Sequence, residues 1–255
     1  MLAIDRLNAI KQILAEQESV TVNDLVQQLD VTAETVRRDL ERLSKEDDRI
    51  VRVHGGAFLR PMFKDTPYEY RQNALLEEKR QIAKAALHCV RDGESMMLDN
   101  STTTLCFAKL IKEAGLRLSV ITNSLDIVNE LRDCSNIKLI CVGGSYQASS
   151  CSFTGIMTIR ELQNFHTDSA FISCSGLHHE FGLTDVSENT SQIRATMLAN
   201  ASRKFLLADH TKFGRSKTNK IAPLSSLDAV FTNVCPSELW LKTFEEQGIK
   251  CCYDA

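Results

Sequence analysis

Two short segments in which apolar residues recur at helical spacing, with a single break between them, most constrain the fold of this chain. The first segment starts at Thr21, a residue type that caps helix N-termini, and Leu25 and Leu29 follow on one face. Asp24 lies three residues after Thr21, where its carboxylate can interact with the exposed amides of the first turn. The pattern breaks at Asp30-Val31, so the first helix must be short.

The second segment is predicted to be a longer helix with one apolar face and one charged face. Thr32 can cap this helix, and Val36, Leu40 and Leu43 recur four and three residues apart. The face turned away from these residues carries Glu34, Arg37, Arg38, Glu41 and Arg42. Two capped helices joined by a tight turn, with paired arginines on the second, are typical of a helix-turn-helix.

A small β wing is predicted after the second helix. Ile50 to Val53 alternates apolar and polar residues, and we expect the wing to end at Gly55-Gly56-Ala57. A helix over residues 2 to 17 should support the helix-turn-helix. The arginines could instead belong to a solvated helix that pairs such as Glu34–Arg38 stabilise. The arginines of the proposed DNA-facing surface, which fall within sixteen positions, are Arg37, Arg38, Arg42, Arg49 and Arg52.

This stretch closely resembles the DNA-binding domain of the DeoR family of bacterial transcriptional repressors. The family's recognition helix, S/T-x-x-T-[IV]-R-R-D-L, is matched by residues 32–40, and its wing end, H-G-G-A, by residues 54–57. The glycine that usually precedes the wing is replaced by Asp47-Asp48-Arg49. Arg37 and Arg38 are expected to reach guanine edges or phosphates in the major groove. The predicted DNA-contacting residues are Thr21, Thr32, Ala33, Glu34, Thr35, Arg37, Arg38, Arg42, Arg52, His54 and Gly55.

Composition places the chain among ordinary globular proteins, with 43% hydrophobic and 25% charged residues. No apolar run approaches the roughly 18 residues of a membrane span, and the first residues do not have the pattern of a secretion signal. A net charge of −3 argues against a wholly basic protein but does not exclude a local basic surface. Nine cysteines without a C-x-x-C pair are expected to be reduced thiols, so we predict a cytoplasmic protein.

From about residue 73 the pattern changes to short apolar strands that alternate with helices. Strands are predicted at Met96–Asp99, Leu118–Thr122, Ile137–Val142, Ser169–Cys174, Lys204–Ala208 and Asp228–Thr232. Helices are predicted at Glu77–Val90, around Leu105 to Ile111, around Leu125 to Leu131 and around Ile193 to Ala201. This arrangement predicts a mostly parallel sheet covered on both faces. The fold class is therefore α/β, with a winged helix-turn-helix domain over 1–58, a linker over 59–72 and an α/β domain over 73–255.

The predicted strands are followed by small or polar residues. These runs are Asp99–Thr104, Thr122–Ser124, Gly143-Gly144, Ser173–Gly176, Asp209–Lys212 and Thr232-Asn233. Open α/β sheets bind ligands at the carboxyl ends of their strands, so the runs should surround one crevice. Ser101, Thr102 and Thr103 open a helix, which favours an anion there, and Lys212 could supply a countercharge. Helix capping and turn formation alone could explain any single run, but explain six runs at one edge less well.

The same runs extend the resemblance to nearly the whole chain. The DeoR sensor domain is marked by L-D-x-G-T-T, T-N-S, a glycine pair and D-x-x-K-F-G. The matching residues are 98–103, 122–124, 143–144 and 209–214. The resemblance implies a fold related to pentose-phosphate isomerases and CoA-transferases, and an effector that is a phosphorylated sugar or a related metabolite. Ser101, Arg194 and His210 depart from the family pattern. The predicted effector-binding residues are Asp99, Ser101, Thr102, Thr103, Asn123, Ser124, Gly143, Gly144, Ser175, Gly176, Arg194, Asp209 and Lys212.

We therefore predict a DNA-binding transcriptional regulator, a repressor of a carbohydrate-utilisation operon that a phosphorylated sugar or sugar acid controls. Its partners would be double-stranded operator DNA, this anionic effector and further copies of the chain. A dimer or tetramer is expected because one small DNA-binding domain seldom gives enough specificity. No cofactor, metal or membrane is predicted. The identity of the effector, the direction of its action and activation in place of repression all stay open.

Two other kinds of protein are weighed against this prediction. A sugar-phosphate isomerase or deaminase with an appended helix-turn-helix would use Asp99, Asp209, Lys212 and Glu188 as acid and base, but carboxylates are few among the strand-end residues. A metal sensor would draw its ligands from Cys174, His178, His179, Asp209 and His210, none of which has a spacing typical of zinc sites.

Overall fold

The computed structural model describes residues 3–17, 19–47, 50–53, 55–59 and 68–253. The chain divides into two compact units, Met1–Ala74 and Leu75–Ala255. Within the described residues, no helix combines the length and the apolar character that crossing a bilayer requires.

The first unit contains three helices that pack around one small core. These helices are α1 (Ala3–Gln17), α2 (Val22–Leu29) and α3 (Ala33–Glu46). Each helix turns its apolar face inward, and the fully buried core side chains include Ile10, Leu14, Leu25, Val36 and Leu43. Burial of each such side chain contributes roughly 1.5–3 kcal/mol, so the amphipathic pattern alone accounts for much of this packing. The predicted helix-turn-helix is confirmed.

A three-stranded antiparallel sheet completes the helical core. Its strands are β1 (Ser19–Thr21), β2 (Ile50–Val53) and β3 (Gly56–Leu59), in the order β1-β3-β2. The prediction that the wing ends at Gly55-Gly56-Ala57 is wrong, because β3 continues to Leu59 and pairs with both neighbours. Gly56 is required by the pairing with β1, since a Cβ there would lie 2.1 Å from the carbonyl oxygen of Val20.

A short helix, α4 (Tyr68–Asn73), ends the first unit. The ring of Tyr70 packs against Phe58 of β3, with 4.7 Å between the ring centroids. The predicted linker over 59–72 therefore contains the last residue of β3 and most of α4. Residues 60–67 of that predicted linker lie outside the described residues.

The second unit is built from alternating strands and helices. Its strands are β4 (Ser95–Leu98), β5 (Leu118–Thr122), β6 (Ile137–Cys141), β7 (Ser145–Gln147), β8 (Ser152–Thr154), β9 (Thr167–Ile172), β10 (Gly176–His178), β11 (Gly182–Asp185), β12 (Ala201–Leu207), β13 (Asn219–Ala222), β14 (Ala229–Thr232) and β15 (Lys250–Tyr253). Its helices are α5 (Leu76–Leu87), α6 (Thr102–Ala114), α7 (Leu125–Leu131), α8 (Ile156–Leu162), α9 (Glu188–Ala199) and α10 (Glu238–Glu246).

Seven of these strands form one parallel sheet in the order β15-β14-β12-β9-β4-β5-β6. Both faces are covered, as β4 shows. Met96 and Leu98 pack in a cluster with Ile82 of α5, whereas Met97 packs in a cluster with Ile193 of α9. Alternate residues of a strand point to opposite faces, so a strand covered on both sides must be apolar throughout. The predicted α/β fold with a parallel sheet is confirmed.

Two predicted helices extend too far along the chain. Helix α5 ends at Leu87 and not at Val90, because the amides of Cys89 and Val90 turn back to carbonyls three residues earlier. Helix α9 ends at Ala199, and Ala201 instead begins β12, where it pairs with Thr167 of β9. In the second case, pairing with a strand distant in sequence outweighs the helical spacing of apolar residues.

Two small antiparallel sheets, which the sequence pattern did not predict, are separate from the main sheet. One has the order β10-β11-β13, and the other is the hairpin β7-β8. The hairpin lies beside the carboxyl end of β5, where the amide of Phe153 donates to the carbonyl of Asn123 over 2.9 Å. It therefore borders the edge of the sheet where a ligand crevice was predicted.

Candidate nucleic-acid interface and effector site

Side-chain caps fix the starts of the two helices of the helix-turn-helix. The Thr21 hydroxyl accepts from the amide of Asp24 at 3.1 Å, and the Asp24 carboxylate accepts from the Thr21 amide at 3.4 Å. Thr32 accepts from the amide of Thr35 at 3.3 Å, and the two threonine hydroxyls are 2.9 Å apart. Asp30, in the left-handed conformation, ends α2 two residues before Thr32. These local contacts define where each helix begins and where α2 ends.

The arginine side chains on the exposed face of α3 form either weak, solvent-exposed ion pairs or no ion pair. Arg37 lies 3.8 Å from Glu34, and Arg42 lies 2.8 Å from Glu46. Within the described part of the chain Arg38 forms no ion pair, so the predicted Glu34–Arg38 pair does not form there. Exposed pairs of this kind contribute about 0.2–1 kcal/mol, so a phosphate can readily replace the carboxylate.

Asp39 holds α3 against α1, a role that the sequence prediction missed. It is buried on the inner face of α3, and its carboxylate pairs with the guanidinium of Arg6, with one Nη2–Oδ1 distance of 3.1 Å. The hydrogen bond to Asp39, with its negative charge, raises the pKa of Arg6. The spacing could have shown this contact, because Asp39 follows Val36 by three residues and so lies on the apolar stripe.

The wing places a further cation and a turn near α3. Arg52 of β2 is exposed and lies 3.7 Å from Glu41 of α3. Gly55 is exposed in the turn between β2 and β3, with a φ of +103° that favours glycine. His54 and Arg49, both predicted on this surface, lie outside the described residues. Ala33 is the first residue of α3.

In the second unit, a buried loop between β4 and α6 holds the predicted anion site. Ser101 caps α6 by accepting from the amide of Thr104 at 3.1 Å. The Thr104 hydroxyl donates to Asp99 at 2.6 Å, and the Ser101 amide donates to the same carboxylate oxygen at 3.1 Å. Thr102 and Thr103, in the first turn of α6, are also buried. The loop is thus tied down by Asp99.

Asp99 is joined to an internal ion network. Arg194 of α9 donates from Nε to Asp99 Oδ2 at 2.6 Å and from Nη1 to Asp185 at the end of β11. All three side chains are buried. Burial acts to lower the pKa of Arg194, but the carboxylates of Asp99 and Asp185 raise this pKa by more than burial lowers it. The guanidinium therefore stays charged. Ser175 also belongs to this network, since its hydroxyl donates to Asp185 at 2.9 Å.

Neighbouring strand ends carry the other predicted residues. Asn123 and Ser124 follow β5; Ser124 caps α7, and Asn123 donates to the carbonyl of Phe153 at 2.9 Å. Asn123 Oδ1 and Asn100 Oδ1 are buried and have no hydrogen-bond partner among the described residues. The sequence prediction did not single out Asn100, although it lies within the run after β4.

Two of the predicted glycines, Gly144 and Gly176, are positions of close approach. A Cβ at Gly144 would lie 2.1 Å from the Thr158 hydroxyl, which donates to the carbonyl of Gly143 at 2.8 Å. This hydrogen bond ties the turn after β6 to α8. At Gly176, the first residue of β10, a Cβ would lie 2.6 Å from the carbonyl oxygen of Arg215. These glycines allow backbone segments to approach closely.

Asp209 and Lys212 follow β12 in one helical turn. Asp209 is buried and accepts from the amide of Thr211 at 3.0 Å, while the Lys212 ammonium lies 3.7 Å from its carboxylate. Burial acts to raise the pKa of Asp209, but the Lys212 charge and the Thr211 hydrogen bonds outweigh it and lower that pKa. Lys212 is partly exposed and so remains accessible to a second anion.

The sheet order brings all the predicted runs to one edge. Strands β12, β9, β4, β5 and β6 are consecutive neighbours and parallel, and each predicted effector residue except Arg194 follows one of them. Four steps of about 4.8 Å between strands make this edge roughly 19 Å wide. The Asp99–Arg194–Asp185 network joins residues of the β4 and β9 ends directly, whereas the turns after β5 and β6 contact the β7-β8 hairpin and α8.

The candidate metal ligands have other contacts. His178 stacks on Phe181 and His179 on Trp240, and burial raises the pKa of the Cys174 thiol to about 12. Within the described residues, no three His, Cys, Asp or Glu side chains are grouped to hold a metal ion. Glu188, a candidate acid or base, is exposed at the start of α9 and accepts from Gln192 at 3.2 Å.

A capped helix-turn-helix with an exposed cationic face, followed by an α/β unit with a polar edge, is the structure of a DNA-binding regulator with a sensor domain. Family models agree: a DeoR-like helix-turn-helix domain matches residues 6–60, and a DeoR C terminal sensor domain matches residues 75–234. The chain belongs to the DeoR family of transcriptional regulators.

Similar proteins have regulatory names. The HTH-type transcriptional repressor GlcR of Bacillus subtilis is 30% identical over 96% of this chain and 94% of its own length. The glycerol-3-phosphate regulon repressor of Escherichia coli is 29% identical over 91% of each chain. The L-fucose operon activator of Haemophilus influenzae is 31% identical over 88% of this chain and 89% of its own.

Among solved structures, ribose 5-phosphate isomerase A of Methanocaldococcus jannaschii is similar in fold. The TM-score is 0.39 and the identity 19%, over 53% of each chain. This distant likeness concerns the fold alone.

Proposed function

We propose that the protein represses an operon for carbohydrate use and that a phosphorylated sugar or sugar acid controls its binding to the operator. The exposed cationic face of α3 carries the proposal. Two relatives of nearly full length are named as repressors, one of them of the glycerol-3-phosphate regulon, and a third is named as an operon activator. Repression is therefore the proposed direction, and a promoter-reporter assay distinguishes it from activation.

Arg37 and Arg38 are proposed to enter the major groove, where each good bidentate contact to a base contributes roughly 1–3 kcal/mol of discrimination. Both lie on the exposed face of α3, away from the core residues Val36 and Leu40. Arg42 and Arg52 would contact phosphates on either side. Thr32 lies at the start of α3, where free amides favour a phosphate, and His54 and Gly55 of the wing would contact the neighbouring backbone.

The effector's anionic group is proposed to bind at the first turn of α6, on the same edge of the sheet as Lys212. Thr102 and Thr103 supply hydroxyls and amides at a helix start, and Lys212 supplies a partly exposed positive charge. The whole edge is wider than one sugar phosphate, so the predicted residues cannot all touch it at once. Asp99 and Arg194 would act by holding the loop in place, since their charged groups already bind each other.

The remaining predictions are proposed on the same basis. The chain would act without catalysis, because Asp99 and Asp209 accept hydrogen bonds from the protein itself. It would bind repeated half-sites as a dimer or tetramer in the cytoplasm. The DNA-binding domain would cover 1–58, the linker 59–72 and the sensor domain 73–255.

A promoter-binding experiment tests the proposal. The full-length protein should bind its own upstream region at physiological salt at least about a hundredfold more tightly than a shuffled fragment, since specific complexes typically exceed nonspecific ones by far more. Adding a panel of sugar phosphates should change that affinity by about 5- to 150-fold for the true effector. Equal binding to both fragments would refute the proposal that the protein is a sequence-specific DNA-binding regulator. Turnover of a sugar phosphate by the purified protein would favour an enzyme instead.

A further inference from the structure

A pocket that the anion site does not use lies beyond the carboxyl ends of β12 and β14. Its volume is about 270 Å³, and its walls come from the turn after β12, the segment after β14 and the start of α10. His210, Phe213, Thr232, Ser237 and Trp240 are among the lining residues. Because β14 is the neighbour of β12, the pocket adjoins the strand that carries Asp209 and Lys212.

One wall of the pocket is aromatic and rigid. Trp240 stacks on His179 with 3.6 Å between ring centroids, and Phe213 meets Trp240 edge-on at 5.2 Å. His179 is held in turn by Thr243, 3.1 Å from its Nδ1. Trp240 is only 6% exposed, so its orientation is set by packing before any ligand arrives. A preformed aromatic wall of this kind suits a flat carbon face.

Other lining residues of the pocket carry hydrogen-bonding groups. Thr232 Oγ1 is buried and has no hydrogen-bond partner among the described residues, which is costly unless a ligand or solvent supplies one. The Ser237 side chain, at the start of α10, makes no capping hydrogen bond. Asn233 lies 3.1 Å from His210 Nδ1 through its amide nitrogen. When His210 Nδ1 accepts this hydrogen bond from the Asn233 amide, the proton of the neutral imidazole lies on Nε2. His210 Nε2 can then donate to a ligand.

The walls of the pocket carry no formally charged side chain. None of its lining residues is Asp, Glu, Lys or Arg. Lys212, two residues after His210, instead pairs with Asp209. The pocket therefore differs in chemistry from the neighbouring anion site and should select an uncharged group.

We propose that this pocket binds the uncharged ring of a sugar or cyclic polyol. The ring would place its C–H face on Trp240 and Phe213 and its hydroxyl groups against Thr232 and His210. A pocket lined by aromatic rings together with hydroxyl and imidazole groups suits both the C–H face and the hydroxyl groups of such a ring. The proposal rests on the proposed function in taking the ligand to be a carbohydrate. It adds a neutral subsite that would distinguish one sugar from another.

Tryptophan fluorescence tests the pocket directly, because Trp240 is the only tryptophan of the 255-residue chain. The full-length protein is titrated with D-glucose, D-xylose and myo-inositol, with glycerol as an acyclic comparison. At least one cyclic polyol should give a saturable change at a concentration about tenfold below that for glycerol. Thr232→Val should weaken this binding by about five- to tenfold, the usual effect of losing one hydrogen bond.

Ser169→Ala provides a matched control. Ser169 Oγ is also buried and has no hydrogen-bond partner among the described residues, but it lies within β9 and does not line the pocket. Its loss should leave sugar binding unchanged. Thr232→Val should not lower the melting temperature, since it removes an unpaired buried hydroxyl while keeping the shape of the side chain. Folding and ligand binding are thereby separated.

Four results would overturn the pocket proposal. They are no saturable change with any cyclic polyol, equal binding by Thr232→Val, tight binding of phenol with weak binding of sugars, and a fluorescence change that follows protein concentration alone. The last would indicate a surface for a second copy. Promoter binding, measured on the same preparation, reports on the proposed function separately. Loss of sugar binding with intact promoter preference would refute only the pocket.

Discussion

The two units use arginine in opposite ways. On α3, Arg37 is exposed and 3.8 Å from its carboxylate partner, so its charge is available to another molecule. In the second unit, Arg194 is buried and bonded to Asp99 and Asp185, so its charge holds the protein together. Exposure and pairing, and not residue type, decide whether a guanidinium recognises a ligand or stabilises the fold.

The largest expected effect is the loss of the buried charge. Arg194→Met would remove the guanidinium that neutralises the buried carboxylates of Asp99 and Asp185, and should lower the free energy of unfolding by about 3–5 kcal/mol. Arg38→Met on the exposed face of α3 should change it by no more than about 0.5 kcal/mol. Urea unfolding measures these values. Trp240 fluorescence follows the unfolding of Arg194→Met, and circular dichroism follows that of both variants.

A triple variant sharpens the comparison. Combining Arg194→Met with Asp99→Asn and Asp185→Asn removes all three charges and should recover part of the lost stability, because no unpaired charge remains buried. If Arg194→Met costs no more than Arg38→Met, the buried network does not have the role assigned to it.

A smaller effect is expected from the sheet of the first unit. Gly56→Ala would place a Cβ 2.1 Å from the carbonyl of Val20, and should destabilise this unit by about 1–3 kcal/mol through forced separation of β1 and β3. Gly55→Ala should cost less, since its Cβ would meet nothing within 4 Å and only the positive φ is strained. Circular dichroism melting compares the two. Equal melting temperatures would show that β1 does not approach β3 as described.

The smallest effect concerns pH. The pKa of Asp209 is lower in the folded protein than its ordinary value of 3.8, so its contribution to stability is present above that value. The contribution is lost as the pH falls below 3.8 and through the lower folded pKa. The stability difference between wild type and Asp209→Asn should therefore shrink between pH 6 and pH 2.5. A difference that stays constant in urea unfolding over this range would contradict the assignment.

The sequence predicted the elements whose patterns are local. The stripe of Val36, Leu40 and Leu43 gave the recognition helix, and fully apolar runs such as Leu118–Thr122 gave the parallel strands. Strand β15 and the two small sheets were not predicted, because they are defined by pairing with residues that are distant in the sequence. Lys250 of β15, for example, pairs with Ala229.

The candidate sites were predictable to different degrees. The polar strand ends could be placed together because a parallel sheet brings its carboxyl ends to one edge. The contact of Arg194 with Asp99 spans 95 positions and follows no spacing rule, so sequence alone could not separate ligand-binding charges from structural ones. The Trp240 pocket likewise requires three segments to meet.

The DNA affinity of an arginine double variant tests the central claim most directly. Arg37→Ala with Arg38→Ala should weaken binding to the upstream fragment by at least tenfold, roughly one lost base contact, and reduce its salt dependence. The control pair Arg80→Ala with Arg132→Ala removes the same charge from exposed positions of the second unit and should bind as wild type does. If the α3 double variant binds the fragment as tightly as the control, the exposed face of α3 is not the DNA-binding surface.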